Sequence, residues 1–288
     1  MTTGTETQNA EQLRGVLHGM WAAVAPRWGE HADYVDARAA LVTENLLELS
    51  APQVGDRVLE LACGPGGMGL AAAERVGPAG EVVLSDVVAE MTTIAAARAA
   101  GLGLTNVSTC VLDLEQIDQP DRSFDVVLCR EGLMFAPDPA RATREIGRVL
   151  RPGGRVALTV WGPRERNPWL AVVLDVVSAQ LGRPVPPPGI PGPFSLDDSR
   201  RLAALLADAE LSGVVVSELS TPLRAGSFDE WWARTSSLAG PLANVLASLP
   251  DDAAGELRAR ARNAVGSYET PSGLEFPGVT LLASGHRD

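Results

Sequence analysis

The stretch VLELACGPGGMG, residues 58–69, decides how the rest of the chain is read. An apolar run of strand character meets Gly64, Gly66, Gly67 and Gly69, and a helical pattern follows at once. Strand, glycine turn and helix in that order make a corner where backbone N–H groups and a helix N-terminus face a bound anionic group. Gly64, Gly66 and Gly69 also fit the G-x-G-x-x-G spacing of a dinucleotide site. The glycines do not say which ligand is held, so the charged residues around them must.

Outward from that corner, apolar β-branched runs alternate with helical patterns. Strands are expected at 57–62, 81–86, 107–112, 124–129 and 155–162, with helices at 67–76, 89–100 and 137–150 between them. Such alternation predicts a parallel sheet covered on both faces, with ligands at the carboxyl ends of its strands. Gly64, Asp86, Asp113 and Arg130 each stand at the end of a separate strand and are expected to converge on one crevice.

The flanking regions are less regular. Residues 1–10 are polar and read as disordered. Residues 11–50 read as a helical cap, broken at Pro26, with Leu41, Leu46 and Leu47 turned inward and a loop at 25–34 carrying Trp28, His31 and Tyr34. The α/β core is assigned to 51–226, a helical insertion or lid to 227–269, and the last strand of the core to 270–288. Within the core, residues 183–194 are too rich in proline for helix or inner strand. Ser195 is read as the cap of a helix at 196–209, and 213–223 as a strand.

Composition narrows the chemistry. The chain has 288 residues, a formal charge of −12, and no lysine among its 24 basic residues. The acidic balance opposes a nucleic-acid partner, which needs a concentrated basic surface. The absence of lysine excludes a Schiff base, covalently held pyridoxal phosphate, a phosphate-loop lysine and a lysine-supported tyrosine. Three cysteines (Cys63, Cys110, Cys129) lie in apolar runs without metal-type spacing, and three histidines are dispersed, so no metal is expected. Without a basic start and apolar core at the N-terminus, and without an apolar run of the ~20 residues a membrane helix needs, a cytoplasmic protein with no membrane span is expected.

A dinucleotide is one ligand that fits, with Asp86 near the ~20-residue interval for a ribose acceptor. Glu60, just before the glycines, is awkward beside a pyrophosphate and suits a ligand with an ammonium group. Asp113 offers a further acceptor for an exocyclic amine. S-adenosylmethionine (SAM) carries an ammonium, a sulfonium, ribose hydroxyls and that amine, and its carboxylate can face the helix N-terminus after Gly64.

At this point a resemblance carries weight. VLELACGPGG resembles motif I of the class I SAM-dependent methyltransferases, EVVLSDVVAEM (81–91) the second motif, DRSFDVVLCREGLMF (121–135) the fourth, and LRPGGRVAL (150–158) the run before the fifth strand. The match covers 58–161, in order, and is similar to the UbiE/COQ5-type, methyltransferase-domain-11 group acting on small molecules. The resemblance implies a Rossmann-like, mostly parallel seven-stranded sheet with helices on both faces, a helical N-terminal cap and a helical insertion before the last strand. It implies SAM as cofactor and S-adenosylhomocysteine (SAH) as product. It also implies that Glu60, Ala62, Gly64 and Gly66 line the methionine end, that Asp86 holds the ribose with Val87 and Met91 against the adenine, and that Asp113 and Leu114 meet the adenine amine. The resemblance also puts Arg130 near the methionyl part or the substrate mouth. Tyr34 is expected as a cofactor or substrate contact from its place between N-terminal helices that fold over the crevice.

The acceptor is expected to be an aromatic, quinone-like or other small metabolite, handled by a monomer or homodimer. Six tryptophans (Trp21, Trp28, Trp161, Trp169, Trp231, Trp232) offer apolar surface for it. No catalytic base is fixed; His31 and Glu131 are candidates, with His18 and Tyr268 behind them. Glu131 stands where related sequences tend to carry a neutral amide. An NAD(P)-dependent oxidoreductase and a SAM-binding protein without transfer activity remain as alternatives.

Overall fold

The computed structural model describes residues 3–288, with side chains described from Glu11 onward except those of Pro241 and Asn244. Two long helices come first, α1 (Thr3–Glu30) and α2 (Ala32–Ser50), followed by β1 (Arg57–Glu60) and α3 (Gly67–Val76). Then come β2 (Glu81–Asp86), α4 (Ala89–Gly101), β3 (Val107–Val111), β4 (Phe124–Arg130), α5 (Pro139–Val149) and β5 (Leu150–Trp161). After these lie α6 (Pro168–Leu181), α7 (Ser199–Ala207), β6 (Leu211–Ser220) and β7 (Leu223–Ala225). The chain closes with α8 (Phe228–Leu238), α9 (Gly240–Ser248), α10 (Asp251–Ala264), β8 (Glu269–Thr270), β9 (Gly273–Phe276) and β10 (Val279–Arg287).

The main sheet has seven strands in the order β3-β2-β1-β4-β5-β10-β6. β1 to β5 are parallel, whereas β10 runs antiparallel between β5 and β6. Strand order reverses between β1 and β4, so the glycine turn after β1 and Arg130 at the end of β4 flank the switch point where such sheets bind ligands.

Apolar side chains fill both faces of the sheet. On one, Val42, Leu46 and Leu47 of α2 pack with Met68 and Ala72 of α3 and Ala95 of α4 over Val58 and Leu128. On the other, Ile146 and Val149 of α5 and Leu202 and Leu206 of α7 pack against Leu59, Val127 and Leu158. Cys63 and Cys129 are buried and free, and burial pushes the Cys129 thiol up to about 12. A third cluster belongs to the late elements: Trp231, Phe228, Leu257 and Phe276 pack with Trp169 and Val173 of α6.

Several expectations are corrected. Pro26 does not break the first helix: α1 runs through it to Glu30, and the expected loop at 25–34 contracts to the single non-helical residue His31. The α1 backbone is already helical from Thr3, where disorder was expected; Met1 and Thr2 lie outside the described residues. Leu41 is 53% exposed, because the inward face of α2 is set by Val35, Ala39, Val42 and Leu46. Asp198, not Ser195, caps α7, accepting from the Arg200 and Arg201 N–H groups, whereas Ser195 Oγ accepts from Gly192 N–H. The insertion is also more than helical. It includes a separate three-stranded sheet, β7-β9-β8, so residues 269–276 belong with the late elements and not with the last strand of the core.

Candidate cofactor and acceptor site

β1 ends at Glu60, and the chain then turns through Ala62 (φ 50°), Gly64 (φ 54°) and Gly66 (φ 86°) into α3. Positive φ at Gly66 removes the Cβ penalty, and the close approach there to Ala95 leaves no room for a side chain without displacement. Gly67 is needed for space: a Cβ on it would lie 1.7 Å from Asp36 Oδ1. The turn is held from three sides. Asp86 Oδ2 accepts from Gly64 N–H at 2.9 Å, Glu60 Oε2 accepts from Gly69 N–H at 2.8 Å, and Arg98 Nη1 donates to the Pro65 carbonyl at 2.7 Å.

The two acidic groups lie deep in the protein. Glu60 is 1% exposed, and burial pushes its carboxyl from 4.5 up to about 8 against the opposing pull of Arg130 and the Gly69 N–H. Asp86 is also raised by burial, opposed by hydrogen bonds from Gly64, Val88 and Val87 and by His18. Arg130 is held beneath this corner, donating to Thr43 Oγ1 at 2.7 Å and pairing with Asp36 at 3.6 Å. Arg98 meets the other oxygen of Asp36 at 2.5 Å. Asp36 thus links the glycine turn to α2 through two arginines.

A cavity of about 210 Å³ opens over this corner. Its wall includes all the expected ligand contacts but one: Tyr34, Glu60, Ala62, Gly64, Asp86, Val87, Met91, Asp113, Leu114 and Arg130. Gly66 is the exception, sitting one layer back against Leu84 and Ala95. Asp113 is already engaged. Its Oδ1 accepts from the Glu115 N–H at 2.8 Å, and Arg14 of α1 approaches Oδ2 at 3.4 Å while also bonding the buried Glu115.

The candidate bases separate clearly. Glu131 and His18 line the cavity, whereas His31 and Tyr268 do not; Tyr268 packs on Phe276 among the late elements. Glu131 has φ 56° and its N–H bonds the Thr159 carbonyl at 3.0 Å, which fixes it just past the end of β4. Its carboxylate meets Arg38 at 3.3 Å, and the Arg38 guanidinium lies over the Trp169 ring at 5.4 Å.

Of the six tryptophans, Trp21, Trp28, Trp161 and Trp169 reach the cavity. Trp231 is core, donating to the Trp169 carbonyl at 3.1 Å, and Trp232 stacks on Phe228. The wall is completed by Leu17 and Phe135 and by Leu223, Thr235, Leu238 and Leu242 from the late elements. Sequence reasoning missed Arg14, Asp36, Arg38 and Arg98. They sit on helices at spacings that read as solvated faces, and no local signal separates them from surface arginines and acids.

Buried carboxylates whose ionisation burial opposes, set on a wall with a glycine turn, fit a ligand that carries positive charge and hydroxyls. Fold and site define an α/β nucleotide-type ligand binder whose acidic set suits SAM better than a dinucleotide. Comparison with known proteins agrees. Residues 52–168 match a family model described as "Methyltransferase domain". The chain is 33% identical over 178 residues to the ubiquinone/menaquinone biosynthesis C-methyltransferase UbiE of Pseudomonas aeruginosa (strain LESB58), covering 61% of this chain and 68% of that protein. It is 39% identical over 114 residues to aklanonic acid methyltransferase DauC of Streptomyces sp. (strain C5), covering 40% and 52%. Among solved structures, the YcgJ protein of Bacillus subtilis superposes with a TM-score of 0.59 at 21% identity, covering 85% of this chain and 97% of that one, a likeness of fold.

The chain belongs to the class I SAM-dependent methyltransferases of the UbiE/COQ5 type. SAM is the cofactor of this family and SAH its product, and the oxidoreductase alternative is not favoured. The chain spans between about half and two-thirds of the length of curated relatives such as these.

Proposed function

We propose that this protein transfers the methyl group of SAM to a small, largely apolar acceptor. The observation that carries the reading is one continuous cavity whose wall holds both Glu60 and Asp86 and the apolar Trp161, Trp169, Leu170 and Leu242. When bound, SAM supplies an electrophilic methyl on a sulfonium. The chain's part is to bind, orient and dry the site, and positioning of that kind is worth up to ~7–11 kcal/mol.

In this reading Glu60 is held ionised by the ligand's ammonium, with Ala62 and Gly64 lining the methionine end. Asp86, already fixed by two backbone N–H groups, presents its remaining lone pairs to the ribose hydroxyls. Val87, Met91 and Leu114 pack on the adenine, and Asp113 shares its carboxylate between Arg14 and the amine. Arg130 balances Glu60. Tyr34, with the Arg234 guanidinium over its ring at 3.9 Å, adds an aromatic face to the wall. We place the protein in the cytoplasm as a monomer or homodimer acting on an aromatic, quinone-like or similar metabolite; the likeness to an aklanonic acid methyltransferase supports the acceptor class. Among the described residues no helix is long and apolar enough to cross a membrane.

The test is calorimetric binding of SAM, SAH and NADH, followed by SAH release across phenols, quinones, amines and thiols. The reading stands on SAM and SAH binding with turnover of at least one acceptor. Tight NADH binding without SAM affinity overturns it.

A further inference from the structure

The charged groups on the cavity wall sort into those already spoken for and those that are not. At the cofactor end Asp113 and Glu115 are answered by Arg14, and Asp36 by Arg98 and Arg130. His18 acts on Asp86. This leaves Glu131 and Arg38 beside Trp161 and Trp169, since Arg234, over the Tyr34 ring, is answered by Glu230. Among the described residues Arg38 makes one side-chain hydrogen bond, its single 3.3 Å contact with Glu131. A guanidinium has five N–H donors, so most of the donor fork is unspent. Glu131, by contrast, is fixed through its own backbone at the strand end nearest the switch point.

We propose that Arg38 and Glu131 form the polar anchor of the acceptor site, and that the acceptor is a phenol or enol methylated on oxygen. This rests on the methyltransferase reading above. The acceptor O–H breaks and its proton goes to the Glu131 carboxylate. The new C–O bond forms as the carbon–sulfur bond breaks, and that electron pair stays on sulfur as the neutral thioether of SAH. Arg38 receives the negative charge developing on the acceptor oxygen.

A second feature supports the proton path. Behind the pair lies a small separate cavity of about 20 Å³, lined by Arg38, Glu131, Asn167, Thr221 and Thr280. That volume admits one water with polar partners. Thr221 Oγ1 and Thr280 Oγ1 lie 3.0 Å apart on its wall, so a water held there has hydroxyl partners in the same cavity that Glu131 lines.

The test uses 4-nitrophenol as a chromophoric acceptor analogue bound to the full-length protein with SAH, its phenolate absorbance followed against pH. Arg38→Met should raise the bound phenol's apparent pKa by about 1–3 units, the effect of removing an adjacent opposite charge. Glu131→Gln should lower it, because a neighbouring negative charge is gone. Opposite signs in the two variants cannot come from a shared folding defect. Neither variant shifting the titration, or no 4-nitrophenol binding while SAH still binds, overturns the proposal. Loss of SAH binding in the parent protein would instead sink the methyltransferase reading itself.

Discussion

The indole N–H of Trp28 on α1 donates to the carbonyl of Leu238 at the end of α8, 2.9 Å away and 210 residues along the chain. It ties the N-terminal cap to the late insertion at the cavity wall, since both residues line that cavity. α1 also packs on α8 and α9. The bond closes the roof over the glycine turn, where Trp28 stands within van der Waals reach of a Cβ position at Gly64.

Trp28→Phe keeps an aromatic ring and removes the donor, leaving the Leu238 carbonyl without that partner. A lost hydrogen bond of this kind costs about 1 kcal/mol, and Tm should fall by about 2–4 °C. Because the bond joins two elements that wall the cavity, SAH should also leave several-fold faster in stopped-flow displacement. An unchanged dissociation rate would mean that the cap and insertion do not gate the cavity.

Glu60 sets a pH dependence whose sign follows from burial. Its folded-state value is about 8 against an ordinary 4.5, so the neutral carboxyl is the form the fold prefers. Its contribution to stability is full below pH 4.5 and is lost as pH rises from there to about 8, the range in which the carboxyl is ionised in the unfolded chain and still neutral in the ligand-free fold. Tm of the ligand-free protein should therefore drop less from pH 5 to pH 8 in Glu60→Gln than in the parent. SAH, with its ammonium, should bind at pH 7 with proton release in the parent and without it in the variant. Calorimetry in buffers of different ionisation enthalpy reads this directly, and equal proton release in both proteins would remove the Glu60–ammonium assignment.

Asp86→Ala should weaken SAM binding at least tenfold. Part of that loss comes from the turn, since the side chain accepts from both Gly64 and Val88 N–H groups. Asp86→Asn, which can keep one of these bonds, should fall between the two. Affinity within threefold of the parent in Asp86→Ala would leave no ribose role for this residue.

Gly67→Ala drives a methyl group into Asp36 and disturbs its pairing with Arg98 and Arg130. Destabilisation of about 1–3 kcal/mol by denaturant titration is expected. Gly255→Ala is the matched control: it lies inside α10 with nothing within 4 Å of the added carbon, and should stabilise by about 0.5–1 kcal/mol. If both substitutions act alike, the contact with Asp36 is not what fixes Gly67.

By itself the sequence determined the α/β core and the corner at residues 58–69. Strand and helix periods, the glycine turn and the acids at strand ends are local patterns, and local patterns suffice to place Glu60, Gly64 and Asp86 at the carboxyl edge of a parallel sheet. It misplaced the end of the first helix at Pro26, which α1 passes through one turn before its end, with the aromatic and apolar contacts of Trp28 and Ala25 on either side of it. The three short strands of the second sheet were also invisible, because two- to four-residue strands carry no period of their own. Only the tertiary structure decided that Arg14 and Arg38 line the cavity while Arg98 braces the glycine turn, that four of the six tryptophans face the cavity, and that Glu131 and not His31 is on its wall. Those facts depend on helices far apart in the chain being packed over one sheet edge, and the residues that meet there share no spacing that a sequence could reveal.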